Sequence, residues 1–338
     1  MSSRYSRQEL FAGVGPEGQA AIRASRVTLV GCGALGSVLA DTMVRAGVGS
    51  LSVVDRDYLE LSNLHRQSLF DEEDVRRGLP KAAAAEARLR QINSDVKVRG
   101  VVADLAADNA AELLAGSDLV LDGTDNFETR FLLNDVCVRA GAPWVYGACV
   151  GSYGLALLVR PRVSPCLRCV LEDMPAPGSG PTCDTAGVVA PIVHVIAGIQ
   201  GAEALKVLAG RTESLLPGIV TVDLWQGTFE VMDLRQQPPS CPACTQGRYE
   251  YAEAATGTSA VLCGRDAVQV RAPRGTRVDL PSLAGRLAAV GDVTANEYLV
   301  RFRGDANELV VFADGRAIVK GVKDLAQARS VYARYVGS

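Results

Sequence analysis

Arg26-Val27-Thr28-Leu29-Val30-Gly31-Cys32-Gly33-Ala34-Leu35-Gly36 is the stretch that decides the fold. Its first five residues are a short apolar run of the kind that fills a buried strand. They lead into a G-x-G-x-x-G turn, and Ser37–Ala46 continues with helical periodicity. A second strand is expected over Ser50–Val54 and ends on Asp55, 19 residues after Gly36. This spacing is the dinucleotide-fold fingerprint: Gly31, Gly33 and Gly36 let backbone approach phosphate at a helix N-terminus, and the acid takes ribose hydroxyls. The expected fold class is therefore α/β, a Rossmann-like doubly wound domain with a mostly parallel central sheet. The glycines alone leave a nicotinamide-dependent oxidoreductase as the default reading.

The residues after Asp55 change that reading. Asp57, Asn63, Arg66 and Lys81 follow within about one helix–loop length, and a nicotinamide site needs little positive charge beyond one phosphate-binding turn. An Asn, an Arg and a Lys suit a triphosphate with magnesium, where cations neutralise charge on the transferring phosphoryl groups. Pro80 presets a helix start at Lys81, and Lys81–Ile92 is rich in helix formers. Leu119–Asp122 reads as a buried strand that ends in the polar turn Gly123-Thr124-Asp125-Asn126, where open α/β sheets bind ligands. Asp122 is read equally as a turn cap. Between these elements, Val96–Val102 is an expected strand and Ala106–Leu114 an expected helix. Downstream, Phe127–Ala140 reads as a helix, and Trp144–Ala148 and Tyr153–Val159 as strands.

At this point the sequence resembles the adenylating enzymes that activate ubiquitin-like carriers, in their MoeB/ThiF branch. The matching residues are Arg4-Tyr5-Ser6-Arg7-Gln8, the glycine turn, Val54-Asp55-Arg56-Asp57, Ser62-Asn63-Leu64-His65-Arg66-Gln67, Pro80-Lys81, Gly123-Thr124-Asp125-Asn126 and two Cys-x-x-Cys pairs. The resemblance spans roughly residues 4–248. It implies a homodimer that binds ATP and Mg2+ and adenylates the C-terminal glycine of a ubiquitin-like sulfur carrier. A sulfurtransferase or cysteine desulfurase is the implied further partner. By resemblance, Asp55 takes the ribose, and Asn63, Arg66 and Lys81 take the phosphates. Ser62 and Asn126 line the nucleotide, and Asp125 holds magnesium with Asp57 close by. Arg7 comes from the other subunit as an arginine finger. Ala34 departs from the glycine many relatives carry there. Molybdopterin, thiamine, cysteine and thiolated-tRNA pathways all stay open, as does a non-catalytic subunit of a heterodimeric activator.

Cys166-Leu167-Arg168-Cys169 and Cys241-Pro242-Ala243-Cys244 form two knuckles separated by 71 residues. One pair alone reads as a redox motif, but two give the four thiolates of a structural Zn2+ site that staples a crossover loop to the domain's C-terminal end. Cys183 follows the Pro/Gly-rich stretch Pro175–Pro181 and precedes a helix expected from Pro191 to about Leu208. It is either a plain loop thiol or the thiol that, in the wider family, forms a thioester or persulfide with the carrier. Cys32, Cys137 and Cys149 read as small buried fillers. Only His65 and His194 are histidines, and His194 reads as a core imidazole. This scarcity argues against a hydrolase triad and agrees with adenylation, because an attacking carboxylate needs no base.

The 338 residues favour two domains, 1–250 and 251–338, and the 48% hydrophobic content is ample for a large core. The first part carries 23 basic and 29 acidic side chains and the second 12 and 9, a balance too mild for nucleic-acid binding. The run Gly187–Leu208 comes nearest to a membrane span but holds Glu203 and Lys206. Met1–Arg7 lacks the apolar core of a signal peptide, so a cytoplasmic protein is expected. Residues 251–338 read as a small α+β module of open role. Cys263 in it reads as a strand-end core cysteine rather than a persulfide acceptor.

Overall fold

The computed structural model describes residues 4–176, 180–234, 240–254, 259–262, 267–273, 275–304, 307–322 and 324–337. Cys263 lies outside the described residues, so its reading goes no further. The chain divides into two compact units, residues 1–255 and 256–338.

The first unit is built on eight strands: β1 (Arg26–Val30), β2 (Ser50–Asp55), β3 (Lys97–Val102), β4 (Leu119–Asp122), β5 (Trp144–Val150), β6 (Tyr153–Val159), β7 (Gly218–Asp223) and β8 (Thr228–Asp233). They lie in the order β3-β2-β1-β4-β5-β6-β7-β8. The pairings from β3 through β5 are parallel, and β5–β6, β6–β7 and β7–β8 are antiparallel. The sheet is thus mixed. Its parallel half is the expected one, and β7 and β8 extend it beyond what the sequence reading contained. Strands β1 and β4 are buried apolar runs because helices cover both faces of a parallel sheet. Helices Ala34–Ala46, Lys81–Ile92 and Ala190–Leu208 pack together over β1–β6, and Phe127–Ala140 packs with the short helices Ala110–Leu113, Leu167–Val170 and Glu250–Glu253.

Expected helix 106–114 forms only as Ala110–Leu113. Asn109 explains the short start: its Oδ1 accepts the Ala106 N–H at 2.9 Å and its amide donates to the Asp104 carbonyl at 2.9 Å, a local alternative to helix. Ala190–Leu208 is the one described helix long and apolar enough to cross a membrane, but half of it is buried against the sheet. His194 is exposed on it, which corrects the core-imidazole reading: the apolar neighbours at 192 and 193 face inward and residue 194 points away.

The second unit holds a six-stranded antiparallel sheet: β9 (Ser259–Leu262), β10 (Ala267–Val270), β11 (Asp292–Ala295), β12 (Leu299–Arg303), β13 (Glu308–Phe312) and β14 (Ala317–Lys320), in the order β11-β12-β13-β14-β10-β9. Helices Leu280–Leu287 and Leu325–Tyr335 pack on it over a core that includes Leu283, Phe302, Leu309 and Val319.

Candidate active site

The glycine turn is held by backbone packing. Gly31 has φ +83°, and a Cβ there would lie 2.7 Å from the Gly123 carbonyl carbon. A Cβ on Gly36 would strike the Gly31 carbonyl, and one on Gly123 would strike Gly31 and Gly36. These three glycines let the end of β1, the first helix turn and the end of β4 meet without side chains between them. Gly33 is different. Nothing approaches its Cβ position more closely than the Gln67 Nε2, 3.8 Å away. Its φ −84°, ψ −136° lies outside the well-populated regions for a residue with a side chain. Space is therefore left at the free N–H groups of the helix that Ala34 opens, where an anion is favoured.

Asp55, at the end of β2, is buried, and both its oxygens are engaged. Oδ2 accepts the Cys32 N–H at 2.6 Å and Oδ1 the Asp57 N–H at 2.7 Å. The carboxylate thus locks the glycine turn to β2, and each oxygen retains a lone pair for a hydroxyl. Burial holds its pKa above the usual carboxylate range, with Lys81 opposing and Asp57 adding to the rise. Lys81 is itself buried. Its N–H donates to the Asp57 carbonyl at 2.9 Å and its Nζ to Asp57 Oδ2 at 2.8 Å. Pro80 (φ −59°) starts that helix, so backbone geometry and ion pair together fix the Lys81 ammonium beside Asp55 and Asp57.

Asn63 is buried and caps the Leu61–Asn63 turn, its Oδ1 accepting the Glu60 N–H at 3.1 Å. Ser62 is exposed, and its carbonyl accepts from the half-buried Arg66 Nη1 at 2.8 Å, which orients that guanidinium. On the β4 turn Asp125 is exposed, whereas Asp122 is fully buried. Asp122 Oδ1 accepts the Thr124 N–H at 2.9 Å and the Thr124 hydroxyl at 2.6 Å, and Oδ2 pairs with Arg130 Nε at 3.3 Å. Its role here is to shape the turn. Asn126 caps the Phe127–Ala140 helix, its Oδ1 accepting the Thr129 N–H at 2.9 Å.

The sequence reading did not single out Arg130. It is buried and donates to the carbonyls of Thr124 at 2.7 Å and Gly147 at 3.1 Å, which fastens the Asp125 turn to β5. An Arg one turn into the helix that follows such an acid was the available signal. Gln67, also missed as a site residue, is buried with its Oε1 unbonded. Arg7 is exposed on the short Ser6–Leu10 helix and makes no hydrogen bond or ion pair among the described residues.

The four knuckle cysteines converge, with all sulfurs within 4.8 Å of one another. Sulfur–sulfur distances of 3.8 Å (Cys166–Cys169), 3.6 Å (Cys166–Cys241) and 3.3 Å (Cys169–Cys244) approach the ~3.8 Å edge of a tetrahedron with ~2.3 Å Zn–S bonds. The donor set fits Zn2+. The knuckles sit against the Phe127–Ala140 helix: Leu167 N–H donates to Asn134 Oδ1 at 2.9 Å, and Tyr251 N–H to Asp135 Oδ2 at 2.9 Å. Cys183 opens a separate four-residue helix, Cys183–Ala186, and its half-buried thiol donates to the Cys149 carbonyl at 3.0 Å. Cys32 and Cys137 are buried as expected, whereas Cys149 is half-buried.

The sequence pattern of the ThiF family matches residues 5–243. The chain belongs to the ThiF family. Among ThiF-family relatives, it is 46% identical over 340 residues, end to end in both chains, to the sulfur carrier protein ThiS adenylyltransferase of Bacillus subtilis. It is 42% identical over 250 residues, 74% of this chain and 91% of the relative, to the SAMP-activating enzyme E1 of Haloferax volcanii. It is 36% identical over 244 residues to the adenylyltransferase and sulfurtransferase MOCS3 of Anopheles gambiae, covering 72% of this chain and 55% of that one. Escherichia coli MccB shares the fold of the ThiF-family unit, with a TM-score of 0.63 at 22% identity over 72% of each chain.

Proposed function

We propose that this ThiF-family chain is an ATP-dependent adenylyltransferase that activates the C-terminal glycine carboxylate of a ubiquitin-like sulfur-carrier protein. The observation that carries the reading is the buried Lys81–Asp57 pair set beside Asp55 at the open Gly33 turn. Asp55 accepts the ribose hydroxyls, and the helix N–H groups at Gly33 and Ala34 receive phosphate. Lys81 and Arg66 balance the triphosphate charge, the Asn63 amide donates hydrogen bonds to it, and Asp125, with Asp57 near, would hold Mg2+. Bound Mg2+ would neutralise phosphate oxygens and favour loss of pyrophosphate. The carrier carboxylate attacks the α-phosphorus in line, the bond to the bridging oxygen breaks, and an acyl-adenylate and pyrophosphate form. The reaction needs positioning and charge rather than a base, because the attacking carboxylate is already a nucleophile.

Two surfaces support the partner reading. Ala190–Leu208 is apolar nearly all round, yet Pro191, His194, Gly198 and Ala202 are exposed, a face for a second copy of the chain. Such a homodimer gives the exposed Arg7 a destination in its partner's site. On edge strand β8 all six residues are exposed, with Phe229 and Met232 62% and 61% accessible, and Trp225 in the turn before it is 80% accessible. An apolar unpaired edge is a landing surface for the sheet of a small carrier. The end-to-end relative is named for ThiS, so a ThiS-type carrier is the first to test. Residues 1–255 carry the adenylating site, and 256–338 form an accessory module. The cytoplasm, where the four thiols stay reduced for Zn2+, suits this chemistry.

Cys183 enters only after adenylation, in any acyl transfer to a thiol. ATP–pyrophosphate exchange with ThiS- and MoaD-type carriers, followed by intact mass of the quenched mixture, tests the proposal. Exchange with a carrier that ends in glycine is expected; its absence with every carrier, or turnover of a nicotinamide nucleotide, refutes it.

A further inference from the structure

The second unit carries a cavity that adenylation leaves unused. It lies between the helix Leu325–Tyr335 and the β12–β13 hairpin and measures about 180 Å³. Phe302 and Leu309, which are buried, line it together with Val331. The Phe302 and Tyr335 rings stand 4.8 Å apart at 52°, so they form one aromatic wall. Gly304 keeps the space beside that wall clear. Its N–H closes the turn by donating to the Asn307 carbonyl at 3.0 Å. A Cβ on Gly304 would lie 3.3 Å from Phe302 Cε1 and 3.7 Å from the Tyr335 Oη.

The polar lining is of one kind. Ser330 and Arg334 are four residues apart on the helix, so they project on one side of it, and both are exposed. The side chains of Asn307, Ser330, Arg334 and Tyr335 make no hydrogen bond or ion pair among the described residues. The Arg334 guanidinium carbon stands 5.1 Å from the Tyr335 ring centroid, and its N–H groups are unspent. All four side chains can donate, and none carries negative charge. Glu308 follows Asn307 in sequence but lies on the opposite sheet face from Leu309, where it pairs with Arg301 at 2.9 Å and Lys320 at 3.3 Å.

A cation beside an aromatic wall, with neutral donors around it, selects an organic anion. A carboxylate matches the planar fork of a guanidinium with two parallel N–H···O bonds, and the rings favour a ligand with an apolar body. Size narrows the class further. A cavity of about 150 Å³ holds one benzene ring, so this one has room for a single ring with a small substituent.

We propose that this cavity binds a small aromatic carboxylate, with the carboxylate on Arg334 and Ser330 and the ring against Phe302 and Tyr335. The second unit thus has a ligand of its own, and the inference does not depend on the chemistry of residues 1–255.

The test titrates para-fluorobenzoate into the full chain by fluorine NMR, with and without ATP. A dissociation constant on the order of 1 mM is expected for a ligand of about ten heavy atoms. Uncharged para-fluorobenzyl alcohol should bind at least ~5-fold more weakly, and so should acetate, which has no ring. Inorganic phosphate should not displace the benzoate. Arg334→Gln should weaken benzoate binding at least ~5-fold, and Arg334→Lys should restore part of the loss. Ser330→Trp, at an exposed helix position, should cover the cavity and weaken binding at least ~10-fold while the thermal transition stays that of wild type. No binding at about 20 mM benzoate overturns the proposal. So does displacement by ATP or phosphate, or an affinity unchanged by either Arg334→Gln or Ser330→Trp.

Discussion

Replacing Asp57 by Asn is the sharpest test of how the site is poised before nucleotide arrives. Lys81 is 5% and Asp57 13% accessible at the side chain, and their atoms meet at 2.8 Å. Removing one member of a buried pair typically costs about 3–5 kcal/mol, because the other charge stays buried without its partner. Here the cost is partly offset, since Asp55 still attracts Lys81, so about 2–4 kcal/mol is the working estimate. For a unit of this size that is on the order of 5–10 °C in Tm. ATP without Mg2+ brings the missing negative charge, so the stabilisation by ATP should be larger in Asp57→Asn than in wild type. Differential scanning calorimetry with and without ATP reads both quantities. An unchanged Tm, or an ATP-induced rise no larger than that of wild type, would refute the claim that Asp57 holds Lys81 in readiness for phosphate.

Four further outcomes follow from other parts of the molecule. Arg7→Ala and Lys81→Met should each lose at least ~100-fold in ATP–pyrophosphate exchange, a loss of ~2.7 kcal/mol. Co-refolded together they should recover roughly a quarter of wild-type activity, because half of randomly paired dimers carry one intact site; no recovery would place Arg7 outside its partner's site. Phe229→Asp with Met232→Lys on β8 should raise the KM for the carrier at least ~10-fold, about 1.4 kcal/mol, and leave ATP binding unchanged. Stripping Zn2+, or Cys244→Ser, should open the 241–254 segment to protease while tripolyphosphate still binds within a few-fold, because the knuckles pack on the Phe127–Ala140 helix and not on Lys81 or Asp57. Burial raises the Asp135 pKa to about 6, which is above its ordinary value, so the folded state favours the protonated form. That contribution is present below the ordinary carboxylate pKa and is lost as pH rises through 6. Asp135→Asn should therefore match wild type near pH 4 and exceed its stability by about 1–3 kcal/mol near pH 8; the reverse trend in urea midpoints would contradict it.

The parts of this molecule written in local pattern were legible. The apolar run at Arg26–Val30, the glycines and Pro80 before Lys81 each act over a few residues, and each left a mark in the sequence. Helix Lys81–Ile92 has the bounds its composition implied. The antiparallel extension was not legible. Strand β8 has every residue exposed, so it lacks the inside–outside alternation that marks a strand packed on a core. His194 was misread for a related reason: apolar composition alone does not tell which side of a helix is buried, and residue 194 lies on the exposed side. In the site, charge type and spacing pointed to Asp55 and Lys81, and the resemblance pointed to Asp125. They could not show that Asp57 holds Lys81 or that Arg130 holds the Asp125 turn, because those contacts join segments 24 and 6 residues apart through the fold.

The most direct measurement is the mass of a quenched carrier protein after incubation with ATP, Mg2+ and this chain. The account predicts that a ubiquitin-fold carrier ending in glycine gains one adenylyl group. Lys81→Met should abolish the gain, and a carrier without its final glycine should not acquire it. A carrier that stays unmodified under conditions where the protein binds ATP, or that gains phosphate instead of adenylate, would contradict attack at the α-phosphorus.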